Sequence, residues 1–124
     1  MLIGEELTGV VIGAAIEVHK ALGPGLLESA YEECLCCELG LRGVGFARQV
    51  ELPISYKGAS LTCGYRMDLV VADALVVELK AVERVLPLHE AQLLTYLRLS
   101  QKRVGLLINF NVPTLKQGIH RKVL

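Results

Sequence analysis

Between Asp68 and Lys80 the chain reads Asp-Leu-Val-Val-Ala-Asp-Ala-Leu-Val-Val-Glu-Leu-Lys, two apolar runs of strand length joined at Ala72-Asp73. Runs rich in valine and leucine, broken by such a turn, pack as neighbouring strands with little exposed surface. Side chains alternate between the two faces of a strand, so Glu78 and Lys80 share one face and Leu79 takes the other. Three ionisable groups therefore fall where a buried sheet should be apolar. Burying a carboxylate or an ammonium is costly unless each is paired or holds something. Asp68 on the adjoining strand completes a small acidic pocket edged by a lysine, which suits a divalent metal. On an exposed face the same residues would be an ordinary salt-bridge pair, and this fragment leaves both readings open.

The chain has 124 residues, enough for one well-formed core and too few for two, so residues 1–124 are expected to form a single domain. An apolar content of 52% excludes disorder. The run Val10 to Ile16 is followed directly by Glu17, His19 and Lys20, so it cannot span a bilayer, and it lacks the features of a signal peptide. A cytoplasmic protein without a membrane partner is expected. Lys and Arg number 13, as do Asp and Glu, so no global field draws in a polyanion. Local basic clusters remain at Arg98, Lys102 and Arg103, and at Lys116, His120, Arg121 and Lys122. Such a face grips phosphates weakly and with marked salt sensitivity. Cys34, Cys36 and Cys37 crowd one predicted helix at spacings unlike a zinc or disulfide pattern. With Cys63 they read as reduced, mostly buried thiols.

Leu7 to Ala21 carries apolar residues at helical spacing and is stopped by Gly23-Pro24-Gly25, and a second helix runs from Leu26 to Leu39 with Gly40 as its cap. Phe46 to Tyr56 alternates like a strand. Lys57-Gly58 turns into a second strand over Ser60 to Val71, and Leu75 to Val82 is the third. Pro87 introduces a helix over Leu88 to Leu99, Arg103 to Phe110 is a further strand, and Lys116 to Leu124 is a tail with the character of a last strand or turn. The order α-α-β-β-β-α-β predicts an α/β fold, a mixed sheet of four to five strands flanked by helices.

Other candidate residues are ambiguous singly. Glu28 sits in the first turn of the second helix, where the macrodipole favours an acid whatever its function. Gln92 and Tyr96 are four apart on one helix face shared with His89, an arrangement common on solvated helices. His19 can support Glu28 from the first helix or be a satisfied structural histidine.

Together these residues are more specific. The chain contains Gly25-Leu-Leu-Glu28-Ser-Ala-Tyr31, Tyr65-Arg-Met-Asp68, Glu78-Leu-Lys80 and Gln92-Leu-Leu-Thr-Tyr96, and it resembles the GxxExxY family, a branch of the PD-(D/E)XK nuclease-like superfamily. The likeness extends through Ile12-Gly-Ala-Ala-Ile-Glu-Val-His19, Leu22-Gly-Pro-Gly25, His89-Glu-Ala-Gln92 and Leu106-Leu-Ile-Asn-Phe-Asn-Val-Pro113. It implies a nuclease fold and a metal-dependent phosphodiesterase acting on nucleic acid, DNA before RNA. Asp68 and Glu78 would be the metal-binding carboxylates, with the Leu79 carbonyl a further ligand. Lys80 would orient or activate water and stabilise charge on the phosphate. Glu28 would join the metal shell directly or through water. Gln92 and Tyr96 match an element that helps hold the active site and the strand. Met67 precedes Asp68 where the superfamily often has proline, a position that only shapes the strand. Hard oxygen ligands suit Mg²⁺ or Mn²⁺.

A second class stays open: a binding or assembly module that keeps the scaffold and turns over little, favoured by small size, zero net charge and only six aromatic residues. The apolar first helix and cysteine-rich second helix also suggest a homodimer face.

Overall fold

The computed structural model describes residues 4–124. Helix α1 (Gly4–Leu22) buries Leu7, Val11, Ala14, Ala15 and Val18, the stripe that its periodicity specifies. It stops at Gly23, whose φ of +70° is left-handed. Helix α2 (Glu28–Leu41) outruns the expected cap at Gly40 by one residue. The left-handed position falls on Gly43 instead, whose amide donates to the Gly40 carbonyl while that of Val44 donates to Leu39. This is a Schellman closure, and Gly40 simply remains helical.

The two long predicted strands are each divided. β1 (Phe46–Glu51) ends before Leu52-Pro53, where proline has no amide to give a ladder, and β2 (Ile54–Tyr56) starts beyond it. β3 (Ala59–Leu61) and β4 (Arg66–Val71) are separated by a bend at Gly64, with φ +79°. β2 and β3 form a separate hairpin over Lys57 and Gly58, both at positive φ as a two-residue hairpin turn demands. β5 (Leu75–Lys80), α3 (Pro87–Ser100) and β6 (Val104–Asn109) follow as predicted, and the tail forms a 3-10 turn at Leu115–Gly118 and a strand β7 (Ile119–Val123).

The main sheet has the order β1-β4-β5-β6-β7. All neighbours are antiparallel except β5 and β6, the parallel pair joined by the α3 crossover. Alternation then divides the core. Leu69, Val77, Leu79 and Leu106 pack with α1 and α2, whereas Val70, Val76 and Leu107 pack with Leu93, Tyr96 and Leu97 of α3. The apolar stripe of α1 is thereby enclosed in the monomer. Cysteine burial is lower than composition suggested: Cys36 is buried and Cys34 partly so, but Cys37 and Cys63 are exposed, and all four are free thiols.

One buried aromatic sets where α2 begins. The Tyr31 ring stacks on Phe110 at 4.4 Å, and its hydroxyl donates to the Gly23 carbonyl at 2.6 Å while accepting the Leu26 amide at 3.1 Å. The Gly23-Pro24-Gly25 turn is thus tied to the helix it precedes, which sets where Glu28, the first residue of α2, is placed. Tyr31→Phe keeps the stack and orphans both backbone groups. Urea unfolding should show a loss of about 1–3 kcal/mol with unchanged m-value. An unaltered midpoint would refute this role.

Candidate active site

Asp68 lies where one ladder skips a rung and another ends. β1 and β4 pair Arg48 with Leu69 and Val50 with Met67, but Gln49 and Asp68 between them drop out, Gln49 at a left-handed φ of +49°. β4 and β5 pair down to Leu69 and Val77, and the next facing residues are Asp68 and Glu78. Their side chains replace the missing rungs. The Asp68 amide donates to Glu78 Oε2 at 2.8 Å, and the Leu79 amide donates to Asp68 Oδ2 at 2.8 Å. Each carboxylate is thereby fixed by the other strand's backbone. β5 meanwhile continues with β6 as far as Lys80 and Asn109, so the sheet opens between β4 and β5 at the acid pair.

The remaining oxygens are less engaged. Asp68 Oδ1 accepts a long bond from Gln49 Nε2 at 3.4 Å, and the same amide nitrogen donates to Glu32 at 2.7 Å. Glu78 Oε1 has no hydrogen-bond partner among the described residues, yet it retains contact with solvent, since no polar side-chain atom there is both buried and unpartnered. Glu78 as a whole is only 7% exposed. Burial, and then the neighbouring Asp68 charge, push its carboxyl from about 4.5 up to about 8. Burial also raises Asp68, against the Leu79 amide that stabilises its charged form. The Lys80 charge favours ionisation of both acids. Lys80 itself is half-buried and forms no ion pair among the described residues.

Glu28, Asp68 and Leu79 line one cleft of about 210 Å³, together with Glu32 and Gln49. Glu28 is exposed at its rim, and its charge contributes to raising Glu78. On the other face of the sheet, Gln92 Nε2 donates to the Tyr96 hydroxyl at 2.9 Å. Tyr96 is buried, and its hydroxyl is raised first by burial and then by the Glu78 charge. Tyr96 is therefore within electrostatic reach of the acid pair, and Gln92 is bonded to Tyr96. His19 does not support Glu28: its Nε2 bonds the Val112 carbonyl at 2.9 Å, its ring lies 6.3 Å from that of Phe110, and it has no hydrogen bond to Glu28 among the described residues. It is a satisfied buried histidine that ties α1 to the segment after β6.

Two contributors were not singled out from sequence. Gln49 looked like any polar residue of an alternating strand, and its left-handed backbone leaves no one-residue signal. Asn109 is 2% exposed in the apolar run of β6; its side chain accepts the Val82 and Asn111 amides and donates to the Val82 carbonyl at 2.9 Å. It clamps the chain two residues past Lys80. A lone amide within an apolar strand was the available clue.

The donor set fits a hard cation. Two carboxylates share a gap and, among the described residues, one oxygen has no hydrogen-bond partner and neither acid has a counter-charge in contact. Among the described residues, no three Asp, Glu, His or Cys side chains are already close enough to hold a metal ion by themselves. Asp68, Glu78 and the Leu79 carbonyl would hold it with waters, Glu28 standing at the rim.

A family model described as the PD-(D/E)XK nuclease superfamily matches residues 5–122. The chain belongs to that superfamily. No curated protein and no solved structure matches it. In this nuclease-like domain no helix among the described residues is long and apolar enough to cross a membrane.

The acid pair makes the stability of the metal-free protein depend on pH. Glu78 keeps its proton in the folded state up to about 8, whereas the unfolded chain releases it near 4.5. Between these values the folded state binds more protons, so stability is greatest at the acid end and falls as pH rises toward 8. Unfolding in EDTA across this window should show that decline, and Glu78→Gln should flatten it. Equal slopes in parent and variant would contradict the assignment.

Proposed function

We propose that this chain is a cytoplasmic, Mg²⁺- or Mn²⁺-dependent phosphodiesterase that hydrolyses nucleic acid, with DNA the first substrate to test. The observation that carries this reading is the crossed pair of carboxylate–amide bonds at the opening between β4 and β5. A protein needing only stability gains nothing from burying Glu78 beside a half-buried Asp68 whose charge raises its proton affinity. The superfamily membership supplies the reaction class.

Asp68 and Glu78 would hold the ion with the Leu79 carbonyl, and Glu28 would join them from the first turn of α2, directly or through water. When bound, the ion lowers the pKa of its water and offsets charge on the phosphorane-like centre. Lys80, half-buried and without an ion pair among the described residues, would orient the attacking water and meet the phosphate. The hydrogen-bonded Gln92 and Tyr96 support Glu78 from the α3 side and face the strand. The Gly25, Glu28 and Tyr31 spacing is the ground for the narrower GxxExxY assignment. Four free thiols agree with a reducing compartment. The homodimer draws no support from α1, whose apolar stripe is enclosed in the core.

The binding-module reading has one observation in its favour, the absence of a ready-made three-ligand cluster among the described residues. Two measurements separate it from the enzyme. Asp68→Ala and Glu78→Ala should each lower Mg²⁺- or Mn²⁺-dependent cleavage by at least about 100-fold while leaving a folded protein. A variant cutting at the parental rate would remove the catalytic assignment. Millimolar Mg²⁺ or Mn²⁺ should also raise the melting temperature, by linkage worth about 2.7 kcal/mol at a hundred times Kd. No metal-linked shift would favour the binding module.

A further inference from the structure

A second cavity, of about 370 Å³, opens between α3 and the segment carrying the β2–β3 hairpin. Its walls include Ile54, Tyr65, Leu88, His89, Gln92 and Thr95. Tyr96 also lines it, so the cavity adjoins the residue that senses the Glu78 and Asp68 charges. Two of the four tyrosines of the chain, Tyr65 and Tyr96, line it. Tyr65 stands edge-on to Tyr96 at 6.3 Å and 68°, and is 44% exposed; Tyr56, two residues from Ile54 on the same face of β2, is 60% exposed. Lys57 holds its ammonium 5.4 Å from the Tyr56 ring. Leu88, on the opposite lip, is 74% exposed.

Open aromatic and aliphatic walls are one half of a base-binding site, and free polar atoms are the other. Gln92 uses Nε2 on Tyr96, which leaves Oε1 as an acceptor. His89 Nδ1 accepts the Leu86 amide at 3.0 Å, so in the neutral ring Nε2 carries the proton and donates. The Thr95 hydroxyl has no hydrogen bond among the described residues. One acceptor, one donor and one hydroxyl on a groove with planar walls match the edge and faces of a heterocycle. The volume lies near the lower end of small-molecule sites, roughly 300–1,000 Å³, with room for one base and no room for a duplex.

We propose that this cavity seats one unpaired nucleobase of the strand whose phosphate lies at Asp68 and Glu78, which makes single-stranded or locally opened nucleic acid the substrate. The inference rests on the phosphodiesterase reading for the phosphate's position. A base within a duplex has both faces stacked and its pairing edge occupied, so it cannot enter. Tyr65 and Leu88 cover the base, and His89 and Gln92 meet its edge.

The test is binding without catalysis. Fluorescein-labelled octathymidylate, the same oligomer made entirely of abasic residues, and a duplex of equal length are titrated at low salt in EDTA and followed by anisotropy. The parent should bind octathymidylate at least about 5-fold more tightly than either comparator, and Tyr65→Ala should remove that preference, as loss of one stacked base requires. Tyr65→Phe should retain it. Leu88→Ser, at an exposed position that cannot unfold the protein, should weaken it in the same direction. Equal affinity for abasic and thymidine oligomers, no measurable binding of octathymidylate, or an unchanged preference in both Tyr65→Ala and Leu88→Ser would overturn the proposal. Because no metal is present, these outcomes leave metal-dependent cleavage standing. Loss of cleavage alone, with base-dependent binding intact, would instead strike the phosphodiesterase reading.

Discussion

Antiparallel strands ordinarily close their gaps with backbone hydrogen bonds, and here one gap is closed by two carboxylates. Asp68 takes the amide of Leu79, Glu78 takes the amide of Asp68, and β4 can then part from β5 without orphaning either strand's donors. Hydrogen bonds to charged acceptors are worth about 1.5–3 kcal/mol each, more than the neutral rungs that they replace. That surplus opposes the desolvation of Glu78. Position and reactivity are thus set by opposing effects: the Asp68 amide that aims Glu78 favours its charged form, while burial lifts it to about 8.

The surrounding structure restricts how far this opening can relax. Asn109 holds Val82 just past Lys80, so the end of β5 stays on β6. Tyr31 holds the turn before α2, which keeps Glu28 beside the cleft. Gln49 ties Asp68 to Glu32, and Glu32 is in turn paired with Arg48. Three separate contacts, from β6, α2 and β1, therefore frame the pair without any of them touching Glu78 Oε1.

The opening is approached from both faces of the sheet. The α2 side is acidic and narrow, with Glu28 at its rim. The α3 side is broader and aromatic, reached through Tyr96. In the proposed reading, ion and strand would lie on different faces of the sheet near the same two carboxylates. A chain with balanced charge need not rely on a basic surface if apolar contact with a base supplies part of the affinity.

Periodicity and turn chemistry determined much of this architecture from sequence. The helices of α1 and α3, the alternation of β5 and the turns at Lys57-Gly58 and Ala72-Asp73 are local properties, decided by side-chain spacing and backbone preference. The motif residues also marked Asp68, Glu78, Lys80, Gln92 and Tyr96 as one neighbourhood. Tertiary structure alone decided that Asp68 leaves both of its ladders, that Gln49 turns left-handed to reach it, and that His19 serves Val112 rather than Glu28. It also brought Tyr65 and Tyr96, 31 residues apart in the chain, together at one cavity. Each of these turns on which backbone group loses its partner when strands diverge, a long-range competition for hydrogen bonds that no local pattern encodes.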